Sequence, residues 1–517
     1  MKPVIYRKPC ALAVAVALAG MSVAPAFAGT PTTGGTETVQ QWFTDGQAFI
    51  ARVKAQYPNT RRAKNVILFV GDGMGVSTVT AARILDGQNK GHTGEENQLY
   101  FETLPYVALS KTYSWDQQTP DSAPTMTAMV TGYKAREGQL SVDHTTGHGE
   151  CDQAVTDSKK LTTILEQAAA AGKSTGVIST ARLTHATPAA TYSHISVRDW
   201  ENNSQIPAGC TVKDIAAQLI DVSPAVKTSL KIAMGGGRPN FEPKTFADPE
   251  GGTGSRTDGR NLTTEWVSTR GGSSVAGYVW NKTDFDAINP ATTEFALGLF
   301  ERSHMQYEAD RNTGPSGEPS LTEMTDKAIK MLKKNPNGFF LHVESGRIDH
   351  AHHAGNAKRA LIETIEFANA VKKAYETTDP NDTLIIVTAD HSHVFTIAGY
   401  PARGNPILGL VKEVPAIDGD PSVPALDSLG LPYTTLGYQN GPGWRGTLPT
   451  NSTVRPTLTE AETTALSFRQ EAAVPLSSET HAAEDVPIYA SGPKAYLVRG
   501  VMEQNWIYHV MKDAFGF

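Results

Sequence analysis

Short runs of consecutive apolar residues, each ending in a polar cluster, punctuate this chain. Val66-Ile67-Leu68-Phe69-Val70 stops at Gly71-Asp72-Gly73. Thr175 to Thr180 leads toward His185 and Thr187, Gly338 to Val343 stops at Glu344, and Thr383 to Thr388 stops at Asp390-His391. Runs this short, rich in β-branched and aromatic residues, read as strands buried on both faces. Between them, Leu161 to Ala171 and Arg359 to Thr377 carry helical period, and Thr38 to Tyr57 predicts an N-terminal helix. The alternation predicts an α/β fold, a central, mostly parallel sheet with helices on both faces. In such sheets, sites form beyond the carboxyl ends of the strands. The polar clusters that follow the four runs are therefore expected to converge in space.

Two stretches break the pattern. Gly235 to Gly272 is polar and glycine-rich. From Pro401 to Pro456 there are 9 Pro and 8 Gly in 56 residues, well above ordinary levels. Such a segment predicts a loop-built insertion, and its aromatics (Tyr400, Tyr433, Tyr438, Trp444) suit either a subunit contact or a surface excursion without a partner.

The first 28 residues read as a secretory signal peptide. Lys2, Arg7 and Lys8 precede the apolar run Ala11 to Val23, and Ala26-Phe27-Ala28 offers small residues at the cleavage spacing. Residues 29–517 then form one domain carrying 43 basic and 53 acidic residues, a net charge of −10. Export to a periplasm or to the outside is expected, with no membrane anchor, because no second apolar run reaches the length of a span. No basic run exists, which argues against nucleic acid as a partner. Cys151 and Cys210 remain after the signal leaves. An even pair in an exported chain predicts one disulfide; two separate thiols are the alternative.

The candidate chemistry lies in the polar clusters. Asp349 and His353 are four apart in Asp349-His350-Ala351-His352-His353, so a helical turn places both on one face. A carboxylate and an imidazole make half a zinc site. Asp390-His391, Asp72 and His481 supply further ligand types, while Thr187 and Glu344 supply hard oxygens suited to Mg²⁺. Ser122, in Asp121-Ser122-Ala123-Pro124, opens a helical pattern. There it is either a simple helix cap or a nucleophile activated by metal. Arg198 is either a surface residue or a planar fork for two phosphate oxygens.

Taken together, these segments resemble the alkaline phosphatase family over nearly the whole chain after the signal. The resemblance rests on Asn65 to Ile84, Asp121-Ser122-Ala123, His185-Ala186-Thr187-Pro188 with Arg198, Glu344 to His353, Thr388 to His393 and Glu479 to Asp485. It implies hydrolysis of phosphate monoesters through a phosphoserine at Ser122. Asp349, His353 and His481 would hold one Zn²⁺, and Asp72, Asp390 and His391 a second. Asp72, Thr187 and Glu344 would hold one Mg²⁺, and Arg198 would clamp the phosphoryl group. His185 and His350 would lie just behind the metal ligands, with His352 and His393 behind them or purely structural. The stretch from about 396 to 475 resembles the family's crown insertion, which implies a homodimer, and the Cys151–Cys210 spacing resembles a family disulfide. Phe300-Glu301 with Glu318 faintly resembles an extra calcium site of the animal enzymes. Competing readings are a phosphodiesterase or sulfatase of the same superfamily, and a non-catalytic phosphate- or metal-binding protein. Ser122 is not followed by the Pro-x-Arg pattern of sulfatases.

Overall fold

The computed structural model describes residues 38–414, 423–445 and 455–517. The proposed signal peptide and parts of the Pro/Gly-rich stretch lie outside them. In chain order the strands are β1 (Asn65–Gly71), β2 (Tyr106–Lys111), β3 (Ser174–Arg182), β4 (Leu230–Gly236), β5 (Ala276–Val279), β6 (Phe295–Leu299), β7 (Phe339–Ser345) and β8 (Thr383–Thr388). There follow β9 (Ser392–His393), β10 (Phe395–Ile397), β11 (Leu436–Gly441), β12 (Ala472–Pro475), β13 (His481–Ala482), β14 (Val486–Ser491) and β15 (Gly500–Glu503).

Ten strands form one sheet in the order β15-β2-β14-β8-β1-β7-β3-β4-β6-β5. The seven strands from β8 to β5 run parallel, and β14 is antiparallel to both its neighbours. Every residue of β1, β7 and β8 is buried. The side chains of β1 divide by strand alternation: Val66, Leu68 and Val70 enter one core, Ile67 and Phe69 the other. Each such side chain contributes roughly 1.5–3 kcal/mol by leaving water. A strand with two apolar faces needs two helical layers, and this explains the unbroken apolar run.

The four strands read from the sequence lie side by side as β8-β1-β7-β3. β8, β1 and β7 end beside Asp390, Asp72 and Glu344, so register brings these three together, and Thr187 follows β3 on the short helix Ala186–Ala189. The predicted helices appear at Val39–Lys54, Ile164–Ala170 and Ala357–Thr377. The last has an Asn356 cap whose side chain accepts from the Arg359 N–H.

Gly235 to Gly272 is more ordered than its polarity suggests. It contains the helix Leu262–Ser268 and two fully buried arginines. Arg238 pairs with Asp248 at 2.9 Å and Arg256 with Asp214 at 2.8 Å. The described residues of the Pro/Gly-rich stretch form mainly turns and single bridges, and β11 within it pairs with β10 and β12 in a small separate sheet. A disulfide joins Cys151 and Cys210, 59 residues apart. Among the described residues no helix is long and apolar enough to cross a membrane.

Candidate metal and phosphoryl-transfer site

Ser122 is the first residue of the helix Ser122–Thr131, whose ten residues are all buried. Asp121 occupies the cap position but makes no capping bond; its carboxylate instead takes Arg198 Nη1. Ser122 is not a cap either. Its Oγ lies 3.3 Å from His391 Nε2 and 3.5 Å from Asp72 Oδ1. The hydroxyl thus sits where free backbone N–H groups and the helix dipole favour negative charge.

Three ligand groups adjoin it. In the first, Asp349 Oδ1 is 3.2 Å from His353 Nε2 and 3.3 Å from His481 Nε2, and the two nitrogens are 3.1 Å apart. His353 Nδ1 lies 2.6 Å from the Glu479 carbonyl and His481 Nδ1 2.8 Å from the Pro120 carbonyl. A carbonyl only accepts, so each Nδ1 carries a proton, and in the neutral ring each Nε2 presents a lone pair. With both rings neutral, three atoms bearing lone pairs face one another. A tetrahedral cation with ligands at about 2.0–2.1 Å has ligand separations of roughly 3.3 Å. The observed triangle matches that spacing.

In the second group, His391 Nε2 lies 3.4 Å from both Asp72 Oδ1 and Asp390 Oδ2. Gly73 N–H and His391 N–H each donate to Asp390 Oδ1 at 3.0 Å, leaving Oδ2 to face inward. Gly73 is required here: its φ is +69°, and a Cβ would come within 2.3 Å of His393 Nε2. In the third group, Ser179 Oγ donates to Glu344 Oε2, and Glu344, Asp72 and His185 bring ligand atoms within 4.8 Å of one another.

The buried atoms Asp72 Oδ2, Asp390 Oδ2, Glu344 Oε1 and Thr187 Oγ1 have no hydrogen-bond partner. Orphaned buried oxygens are costly unless something positive meets them. The titration behaviour says the same. Burial pushes Asp72 well above the usual carboxylate range, and Asp390, Asp349 and Glu344 add repulsion. Burial, with Asp390 beside it, pushes Glu344 up to about 7. Burial likewise pushes Asp390 up to about 6, with Asp349 adding to it. Asp349 is held low: burial opposes this, but His353, His393 and His481 outweigh it. Burial keeps His391 neutral, as a ligand must be. The residues present fit divalent cations.

Arg198 reaches from Asp121 to His185, with Nη2 2.8 Å from His185 Nε2. The rings of His350 and His185 pack edge to face, centres 5.5 Å apart. All the metal-type residues singled out in the sequence, and Ser122 with Arg198, therefore belong to one contiguous cluster. Phe300, Glu301 and Glu318 line a separate cavity together with Glu250.

Two features escaped the sequence. His304 packs on His350 at 3.9 Å between ring centres and lies 2.6 Å from Arg182 Nη1. It comes five residues after β6, with no companion at motif spacing. The other is the buried chain Glu479–His393–Asp349. His393 Nδ1 is 2.6 Å from Glu479 Oε2, and Nε2 is 2.9 Å from Asp349 Oδ1. These carboxylates outweigh burial and push His393 up to about 10, so it holds Asp349 as an imidazolium.

Residues 63–517 match the family model described as alkaline phosphatase. The tissue-nonspecific alkaline phosphatase of Gallus gallus is 45% identical over 472 residues, covering 89% of this chain and 86% of that protein. The alkaline phosphatase of Gadus morhua is 44% identical over 466 residues, covering 88% and 92% respectively. Among solved structures, Thermus thermophilus alkaline phosphatase superposes with a TM-score of 0.61 at 23% identity, covering 90% of this chain and 93% of that one. The enzyme of the Antarctic bacterium TAB5 gives 0.59 at 22% identity, covering 89% and 99%.

Proposed function

Because the chain belongs to the alkaline phosphatase family, we propose that it hydrolyses phosphate monoesters by two successive displacements at phosphorus, with Ser122 as the nucleophile. Asp349, His353 and His481 would hold one Zn²⁺; Asp72, Asp390 and His391 a second; Asp72, Thr187 and Glu344 one Mg²⁺. When bound, these cations lower the pKa of the serine hydroxyl and of water and offset negative charge developing on the phosphoryl oxygens.

In the first displacement a bond forms between Ser122 Oγ and phosphorus while the bond to the ester oxygen breaks, releasing the alcohol. Water then attacks the phosphoserine, releasing inorganic phosphate and restoring the hydroxyl. Positioning and positive charge do most of such a reaction. The helix N-terminus faces the phosphoryl group from the Ser122 side. Arg198 is aimed by Asp121 and offers a guanidinium to two oxygens. His185 stands against Arg198, and His350 packs on His185.

The observation that carries this reading is Ser122 Oγ lying within 3.5 Å of both His391 and Asp72, amid buried oxygens that have no hydrogen-bond partner. A non-catalytic binder explains the ligands but not a serine placed among them. Ser122→Ala is expected to lose most of its turnover while keeping its zinc and magnesium content. Unchanged turnover in that variant would remove the nucleophile assignment.

The N-terminal pattern and the Cys151–Cys210 bond support export to an oxidising compartment, a periplasm or the outside. The exposed apolar side chains of Trp42, Phe43 and Tyr400 support assembly as a homodimer.

A further inference from the structure

Strand β11 lies in the Pro/Gly-rich stretch, far in sequence from the ligands. Yet three successive residues of it reach the three segments that carry the first ligand group and its neighbours. Tyr438 OH is 2.8 Å from His352 Nδ1, and His352 sits between Asp349 and His353 on the helix Arg347–His353. His352 Nε2 is in turn 3.0 Å from Thr78 Oγ1. Gln439 N–H donates to the Val394 carbonyl at 2.9 Å, next to His393. Asn440 Nδ2 donates to Thr480 Oγ1 at 2.9 Å, and Asn440 Oδ1 accepts from Thr480 N–H at 3.0 Å, directly before His481.

Tyr438, Asn440, His352 and Thr78 are each nine-tenths or more buried. Buried polar bonds are stringent about geometry, because each unmade one costs the desolvation of both partners. Tyr438 and Asn440 are two apart, so a strand turns both toward the same face. We propose that β11 is a positioning element of the reaction: through Tyr438 and Asn440 it holds the Asp349/His353 helix and the His481 segment at the separation the first cation needs. This rests on the reading that Asp349, His353 and His481 bind the first zinc. The second ligand group, on β1 and the end of β8, receives no side chain from β11 and should not depend on it. Groups behind a metal's own ligands typically govern affinity by 10–100-fold.

The test is zinc release from the fully loaded enzyme into excess chelator, followed with a zinc indicator, for wild type, Tyr438→Phe and Asn440→Ala. The phase absent in His481→Ala identifies the first zinc. Both β11 variants are expected to release that zinc at least about 10-fold faster, with the other phase unchanged and kcat restored by saturating zinc. Tyr438→Phe removes one oxygen from a packed ring, so it keeps the test open if Asn440→Ala fails to fold. Equal acceleration of both phases, or no acceleration of the first, would overturn the proposal. A wild type holding two zincs with that result removes the role of β11 alone; a wild type without zinc removes the metal assignment beneath it.

Discussion

Replacing Glu344 by Gln should stabilise the metal-free protein at alkaline pH and destabilise the metal-loaded one. Glu344 is fully buried, and burial raises it from 4.5 to about 7. A raised carboxylate favours the folded state below its unfolded value and loses that contribution as pH climbs through the folded one. Above pH 7 the folded chain must therefore hold an ionised Glu344 at a cost of about 3 kcal/mol relative to the unfolded chain. Gln keeps the oxygen that accepts from Ser179 Oγ and carries no charge. Several buried neutral histidines, His391 and His350 among them, impose an opposite pH trend in this range. The informative quantity is thus the difference between variant and wild type, in which those contributions cancel. Urea unfolding in chelator should find the two proteins about equal at pH 4 and Glu344→Gln more stable by about 3 kcal/mol at pH 8. With zinc and magnesium added at pH 8 the order should reverse, because cations stabilise the state that binds them more tightly. A variant no more stable than wild type in chelator at pH 8 would refute the claim that Glu344 is an uncompensated charge awaiting a cation.

Arg198→Ala should lower kcat/KM by roughly 10–100-fold, the worth of a charged hydrogen bond, mainly through KM, with weaker inhibition by inorganic phosphate. An unchanged inhibition constant would show that Arg198 does not touch the phosphoryl group. Cys151→Ser should cost about 2–4 kcal/mol of unfolding free energy under oxidising conditions. Native protein with two titratable thiols would contradict this.

Much of the site was legible because strand ends leave a strong local trace. Val66 to Val70 is apolar because both its faces are buried, and the run must stop where Asp72 meets solvent or ligand. The order of the strands was not legible: β14 reads as one more apolar run, and nothing local says that it runs against its neighbours. Gly235 to Gly272 breaks the strand–helix pattern because it is polar, and nothing local in Arg238, Arg256 or Asp248 says that they are core; only the pairing of Arg238 with Asp248, and of Arg256 with the distant Asp214, makes them so. Asp349 and His353 announced themselves by helical spacing. His304 and the contacts of β11 could not, since each acts across a separation that only the fold closes. His393 stood in view beside His391, but its role follows from Glu479, which approaches it from 86 residues away.

The phosphorylated enzyme itself is the most direct witness. Wild-type protein loaded with zinc and magnesium, incubated with inorganic phosphate at acid pH, quenched and digested, should yield the peptide containing Ser122 with one phosphoryl group, and Ser122→Ala should yield none. Phosphate found on another residue, or on none while the loaded enzyme turns over monoester, would contradict the account.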